Sequence, residues 1–242
     1  MEFQIKVADK IFQIQSLFLK DSYFKDYLVQ SEQSDYSISI EKKDLILEKN
    51  IARYVDDDGN CYARNFSAEE YETVAIQRKI SNLLFFEDVI MLHGVLLAIG
   101  NDGYILTAKS GVGKTTRALK WLENIPGSYI VNGDKPFLSI GEEVIAYGTP
   151  WCGKEGINKN TSVTLKGVCF ISRSDDYSIE ELNISKAFSR LVSQVHVPDS
   201  KETIKLIQLL NTMSKSVKFY DLQCDISDES AIKTYEYVSK NK

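Results

Sequence analysis

Residues 104–117 read YILTAKSGVGKTTR, and the fold turns on how that stretch is read. An apolar run gives way to a loop of small residues, then to a lysine, two threonines and the start of a helical pattern. The stretch meets the Walker A pattern G-x-x-x-x-G-K-[ST] through Gly113, Lys114 and Thr115, with Ala108 in place of the first glycine. Gly111 and Gly113 let the backbone turn its N–H groups inward as an anion nest, and the dipole of the following helix adds partial positive charge. Lys114 is suited to the outer phosphates and the Thr115 hydroxyl to a Mg²⁺ shell that otherwise keeps its waters. Ser110, Gly111, Val112, Gly113, Lys114, Thr115 and Thr116 are therefore expected to hold the phosphates of a nucleotide, ATP or GTP, with Mg²⁺. A Gly-rich connection with an unrelated lysine is the alternative, and the strand before and helix after weigh against it. No N-K-x-D segment follows, because VNGDK has another order, which disfavours a guanine-specific switch GTPase.

The chain as a whole allows this reading. Its 242 residues suit one large domain or a domain with a small companion lobe, and 43% apolar with 26% charged residues is ordinary for a globular protein. The net charge of −5 offers no global basic field, so neither nucleic acid nor an anionic membrane is expected as a partner. Cys61, Cys152, Cys169 and Cys224 lack C-x-x-C spacing and the chain has two histidines, which argues against a Cys/His zinc site and a disulfide framework. MEFQIKVADK lacks an apolar leader core, and no run approaches about 18 apolar residues. A cytoplasmic protein is the expectation.

Outward from the loop, VIMLHGVLLAIG is apolar on both faces and, with YILTA, predicts a β-hairpin whose turn lies at Asn101 to Gly103. TTRALKWLEN predicts a short helix ended by Pro126 and Gly127, followed by strands in SYIV, FLSI and VIAY. A loop, GTPWCGKEGINKN, precedes a strand in SVTLKGVCFIS. The last third reads as helix (ISKAFSRLVSQV), helix after Pro198 and Asp199, strand (VKFYDLQC) and helix (SDESAIKTYEYV). Upstream, the first 60 residues read as short strands, among them EFQIKVA and YSISIE, and Ser67 with Glu70 has the spacing of a capping box heading a helix. The expected organisation is a small β-rich lobe with its linking helix over residues 1–85 and a P-loop core over 86–242, together one compact unit.

Two residues near the loop carry candidate chemistry. His93 closes a strand before it, and Asp134, in VNGDKP, follows the next strand after it. Transfer of a phosphoryl group to an alcohol needs a carboxylate near the metal and a group to accept the hydroxyl proton, and Asp134 fits either role. The alternatives are a turn residue for Asp134 and a hydrogen-bonded strand-end imidazole for His93.

The order HG, strand, turn, strand, SGVGKTT, helix, strand and Asp-bearing turn resembles the catalytic domain of HPr kinase/phosphorylase and its relatives, which share a fold with phosphoenolpyruvate carboxykinase. The resemblance spans about residues 88–140. It implies an α/β fold with a mixed sheet around the P-loop, His93 in the active site, the loop and Lys114 on the nucleotide phosphates, and Asp134 as base and, with Thr115, metal ligand. The family turn often has two adjacent aspartates, whereas Gly133 stands in the first place here; Glu155 is a candidate substitute. The Gly- and Arg-bearing segment linked to dephosphorylation in that family has no counterpart. GTPWCGKEG is more similar to kinase-like relatives in peptide-modification or free-serine phosphorylation systems, which implies a loop over the site with Lys154 as a phosphate or substrate contact, the alternative being a solvated turn. The family's enzymes often associate, so a homo-oligomer is in keeping with the resemblance.

The expected activity is Mg²⁺-dependent phosphoryl transfer from a nucleotide to a serine-type hydroxyl of a peptide, protein or small molecule. A nucleotide-binding regulatory or scaffold protein without transfer is the alternative. Carboxykinase chemistry is disfavoured by the short chain and its few histidines.

Overall fold

A computed structural model describes residues 1–55, 61–63, 66–109 and 111–240, and Ser110 lies outside the described residues. The chain is α/β and falls into two compact units, Met1–Leu83 and Leu84–Lys242.

In the first unit, β1 (Glu2–Val7), β2 (Lys10–Gln15), β3 (Leu28–Val29) and β4 (Tyr36–Ser39) form a sheet in the order β3-β1-β2-β4, where β2 and β4 run parallel. Alternation drives it: Phe3, Ile5 and Val7 of β1, with Phe12 and Ile14 of β2, are buried on one face. The all-strand expectation for this region fails at α1 (Lys42–Ile51). Glu41 and Asp44 form its capping box, and Glu48 is buried against the Arg78 guanidinium, so a stripe resembling a strand in DLILE is a helix with Ile46 and Leu47 exposed. Strands β5 (Arg53–Val55) and β6 (Cys61–Ala63) pair antiparallel, and α2 (Ala68–Phe86) starts at the expected box, with the Ser67 N–H donating to Glu70 at 2.7 Å and the Glu70 N–H to Ser67 at 3.2 Å.

The second unit is built on a nine-stranded mixed sheet. Its strands are β7 (Val89–Met91), β8 (Val95–Ile99), β9 (Asp102–Thr107), β10 (Ser128–Asn132), β11 (Phe137–Ile140), β12 (Val144–Tyr147), β13 (Ser162–Arg173), β14 (Ser178–Leu182) and β15 (Lys218–Cys224). Helices α3 (Lys114–Asn124), α4 (Ile184–Val192), α5 (Thr203–Met213) and α6 (Asp228–Lys240) cover it. The twelve-residue β13 is the spine: β9 lies parallel along one side, and on the other β12 meets its start and parallel β15 its later half. Both faces are buried, which is why β8 and the Tyr104–Leu106 run of β9 read as apolar on both sides. Leu96, Ile105 and Phe170 pack with Leu191 of α4 and Leu210 of α5, while Leu97, Leu106 and Ile171 pack with Trp121 of α3 and Val238 of α6.

The β8–β9 turn is tighter than expected. Ile99 pairs with Asp102, so the turn residues are Gly100 and Asn101, and Gly103 belongs to the strand. Strand β14 was not anticipated: its glutamates make it look like a loop, but as an edge strand it is paired only by β15 and keeps its charges in water. Among the described residues, no helix is long and apolar enough to cross a membrane.

Candidate active site

The ends of β9, β13 and β15 that follow their parallel course lie side by side, the position where open α/β sheets bind ligands. From the end of β9 the chain enters the loop and then α3. Gly111 has φ +81° and Gly113, the residue that caps α3, has φ +101°; both are left-handed conformations that disfavour a side chain. Gly113 has no side chain to cap α3, and among the described residues no side-chain cap bond to its first turn is present. The loop's carbonyls are used instead. Arg117, a buried residue of α3, donates to the Val112 carbonyl at 2.9 Å and to the Sγ of Cys224 at 3.0 Å, and the exposed Arg173 donates to the carbonyls of Gly111 and Val112 at 2.6 and 3.1 Å.

Lys114 Nζ donates to the Ala108 carbonyl at 3.0 Å, so the side chain folds back across the loop. Burial pushes its pKa down, Lys135 adds to that, and Asp134 opposes it. Thr115 is half-buried and Thr116 exposed.

Asp134 is carried at the end of β10 by a side-chain-built turn. Fully buried Asn132 accepts from the N–H groups of Asp134 and Lys135 at 3.0 and 2.6 Å, and its amide donates to Thr149. His93 Nε2 lies 3.2 Å from Asp134 Oδ1, and Lys135 Nζ 3.7 Å from Oδ2. Burial alone would raise the Asp134 pKa, but the His93 hydrogen bond and the charges of Lys135, His93 and Lys114 outweigh it and hold the carboxyl below its ordinary value. The backbone of His93 is fixed on both sides: its N–H donates to the Gln194 carbonyl at 2.8 Å and its carbonyl accepts from Thr107 Oγ1 at 2.7 Å.

The loop, Lys114, Asp134 and His93 thus occupy one end of the sheet. Glu155 is exposed but close: its Oε2 and the Asp134 side chain flank Gly153. Lys154 is exposed, and among the described residues no hydrogen bond or ion pair ties it to Asp134 or the loop. Gly133 has a physical cause, since a Cβ there would sit 2.5 Å from the Cys152 carbonyl oxygen and 3.2 Å from that of Ile157. A second aspartate cannot occupy this place while the 148–160 loop holds its course. No three His, Cys, Asp or Glu side chains are grouped as metal ligands among the described residues.

Sequence reading missed Lys135, Asn132, Arg117 and Arg173. Lys135 and Asn132 lie within VNGDKP and were open to notice. Nothing local marks Arg173, which meets the loop only because β13 runs parallel to β9.

No protein-family model matches the chain, and no curated protein matches it closely enough to count as a relative. Among solved structures, the Hpr(Ser) kinase/phosphatase from Coxiella burnetii is similar at 11% identity, over 62% of this chain and 94% of that one, with a TM-score of 0.34. At that level the likeness transfers no activity and no residue role.

Proposed function

We propose that the second unit is a nucleotide-dependent phosphotransferase acting on a serine-type hydroxyl. The observation that carries the reading is the meeting of a glycine-turned loop and Lys114 with an ionised, histidine-bonded Asp134 at one end of the sheet. The loop amides and the ammonium of Lys114 hold the phosphates and stabilise charge on the group in transfer. Asp134, kept anionic, accepts the acceptor's hydroxyl proton as the new O–P bond forms and the bond to the nucleoside diphosphate breaks. His93 orients that carboxylate. The hydroxyl of Thr115 and the carboxylate of Asp134 are hard oxygen donors suited to Mg²⁺, which when bound supplies charge neutralisation on the phosphates. Among the described residues Glu155 is a further carboxylate near Asp134, and Lys154 is assigned to the substrate side of the same loop.

Gly133 favours a second reading, in which the protein binds nucleotide for regulation and transfers nothing, because the place of a second carboxylate is closed. Asp134→Asn separates the two, being near-isosteric and unable to take a proton. The kinase reading expects phosphoryl transfer, measured by release of nucleoside diphosphate, to fall by about a hundredfold or more while nucleotide remains bound. Equal release from both proteins removes Asp134 as base, and nucleotide binding with no release from either supports the regulatory reading.

A further inference from the structure

A cleft of about 560 Å³ opens on the α4 face of the sheet, and its lining includes Thr107, Lys109, Arg173, Arg190, Gln194 and Asp221. Three cations stand there against one carboxylate, in a chain whose net charge is −5. Arg190 is held in place: its Nη1 and Nη2 donate to the two Asp221 oxygens at 2.6 and 3.0 Å, and its guanidinium lies 5.6 Å from the centre of the Phe170 ring. The fork uses two of its five N–H donors, and the side chain is still 43% exposed. A guanidinium oriented in advance with donors to spare is suited to a planar or tetrahedral oxyanion. Glu180, paired opposite Asp221 on β14, is the further negative charge felt by Arg190.

The cleft adjoins the reacting end of the candidate site. Gln194 and Thr107 are the two residues that clamp the backbone of His93. Among the described residues the buried Gln194 side-chain Oε1 has no hydrogen-bond partner, while its Nε2 donates to Ser193 at 3.1 Å. The nucleoside is expected on the opposite face. Inner phosphates cradled at the head of α3 leave it near Gly113, Thr116 and Arg117, which line a separate cleft of about 500 Å³. Val112 and Arg173 stand between the two clefts and belong to both.

We propose that the α4-face cleft is the acceptor site, and that it takes a hydroxyl compound carrying an oxyanion, carboxylate or phosphate, gripped by Arg190 and Arg173 with its hydroxyl turned toward His93 and Asp134. This rests on the phosphotransferase reading. It goes beyond it by fixing the acceptor's chemistry and its side of the sheet.

The test uses the full chain loaded with Mg·ADP, whose binding is first established by calorimetry. Inorganic phosphate and, separately, malonate are then titrated while the ¹⁵Nε resonances of the arginines are followed, Arg190 being assigned by its loss in Arg190→Lys. The expected result is a saturable shift of Arg190 with at least one probe, not reproduced by equal ionic strength of sodium chloride, and a probe affinity weakened roughly tenfold or more in Arg190→Lys. A preference between the probes tells a phosphate-bearing from a carboxylate-bearing acceptor. No saturable shift in the ADP-loaded protein overturns the proposal, as does a shift of Arg190 on ADP addition alone with none from either probe, which would give the cleft to the nucleotide. Failure of ADP to bind defeats the phosphotransferase reading itself, and the acceptor site with it.

Discussion

Each unit contains a tight turn of backbone beside a helix, and the two are finished differently. In the first unit the charge is internal: fully buried Glu72 accepts from the N–H groups of Leu17, Phe18 and Leu19 at 2.5, 2.8 and 2.8 Å. In the second unit, the loop after β9 has its carbonyls tied by Arg117 and Arg173, its helix uncapped, and a half-buried lysine folded on the Ala108 carbonyl. A nest filled by its own chain is a fastener. A loop whose carbonyls are tied back by arginines is the one we propose takes an anion from outside.

The largest expected effect falls on the filled nest. Glu72→Ala removes the acceptor of three N–H groups at a buried position and should cost on the order of 3 kcal/mol in denaturant unfolding of the first unit. A loss below about 1 kcal/mol would break the contrast, because Glu72 would then be as dispensable as an ordinary surface charge. Lys114→Ala should do the reverse, leaving stability within about 0.5 kcal/mol while weakening nucleotide binding at least about tenfold.

Next comes the close approach at the turn that carries Asp134. Gly133→Ala drives a methyl against the Cys152 carbonyl, so a destabilisation of about 1–3 kcal/mol is expected, with Asp134 displaced as the 148–160 loop yields. Melting temperature and nucleoside diphosphate release read the two parts separately; an unchanged protein would mean that the loop moves freely and that Gly133 is not dictated by it.

Titration sharpens the comparison. Lys114 has a lowered pKa, and a phosphate beside it favours the protonated form, so binding must take up a proton once pH exceeds that lowered value. Nucleotide affinity should therefore fall with rising pH, beginning below the ordinary lysine range, and the decline should vanish in Lys114→Ala. Asp134 has the opposite sign: its folded pKa is depressed, so it contributes stability above the ordinary carboxyl pKa that is lost as pH falls through the depressed value. Asp134→Asn should flatten that acid limb. The smallest effect is expected of Arg173→Ala, which frees two loop carbonyls and should weaken nucleotide binding by roughly two- to tenfold.

What was legible in the sequence was what is local. The strand, glycine-rich loop and helix of residues 104–124 are contiguous, and glycine spacing with a terminal lysine marks them without tertiary knowledge. The capping box of Ser67 and Glu70 was readable for the same reason. Helix α1 was not, because Ile46 and Leu47 stay exposed while Glu48 is buried on Arg78, which inverts the apolar pattern. The candidate site was half legible. His93 and Asp134 were reached as separate strand-end residues, but their 3.2 Å contact depends on β8 pairing with β10, a non-neighbouring strand in the chain. The clamp of Arg173 on the loop, and the Arg190–Asp221 fork between α4 and β15, follow from sheet order and leave no mark in any short window.

The central claim, that the loop after β9 is an open nest for the phosphates of a nucleotide, is tested most directly by calorimetric titration of Mg·ATP into the wild-type chain and Lys114→Ala under identical salt and pH. The account predicts saturable binding to the wild-type protein and at least about a tenfold loss in the variant, with the two proteins equally stable. Equal affinities, or no binding to the wild-type chain, would contradict it.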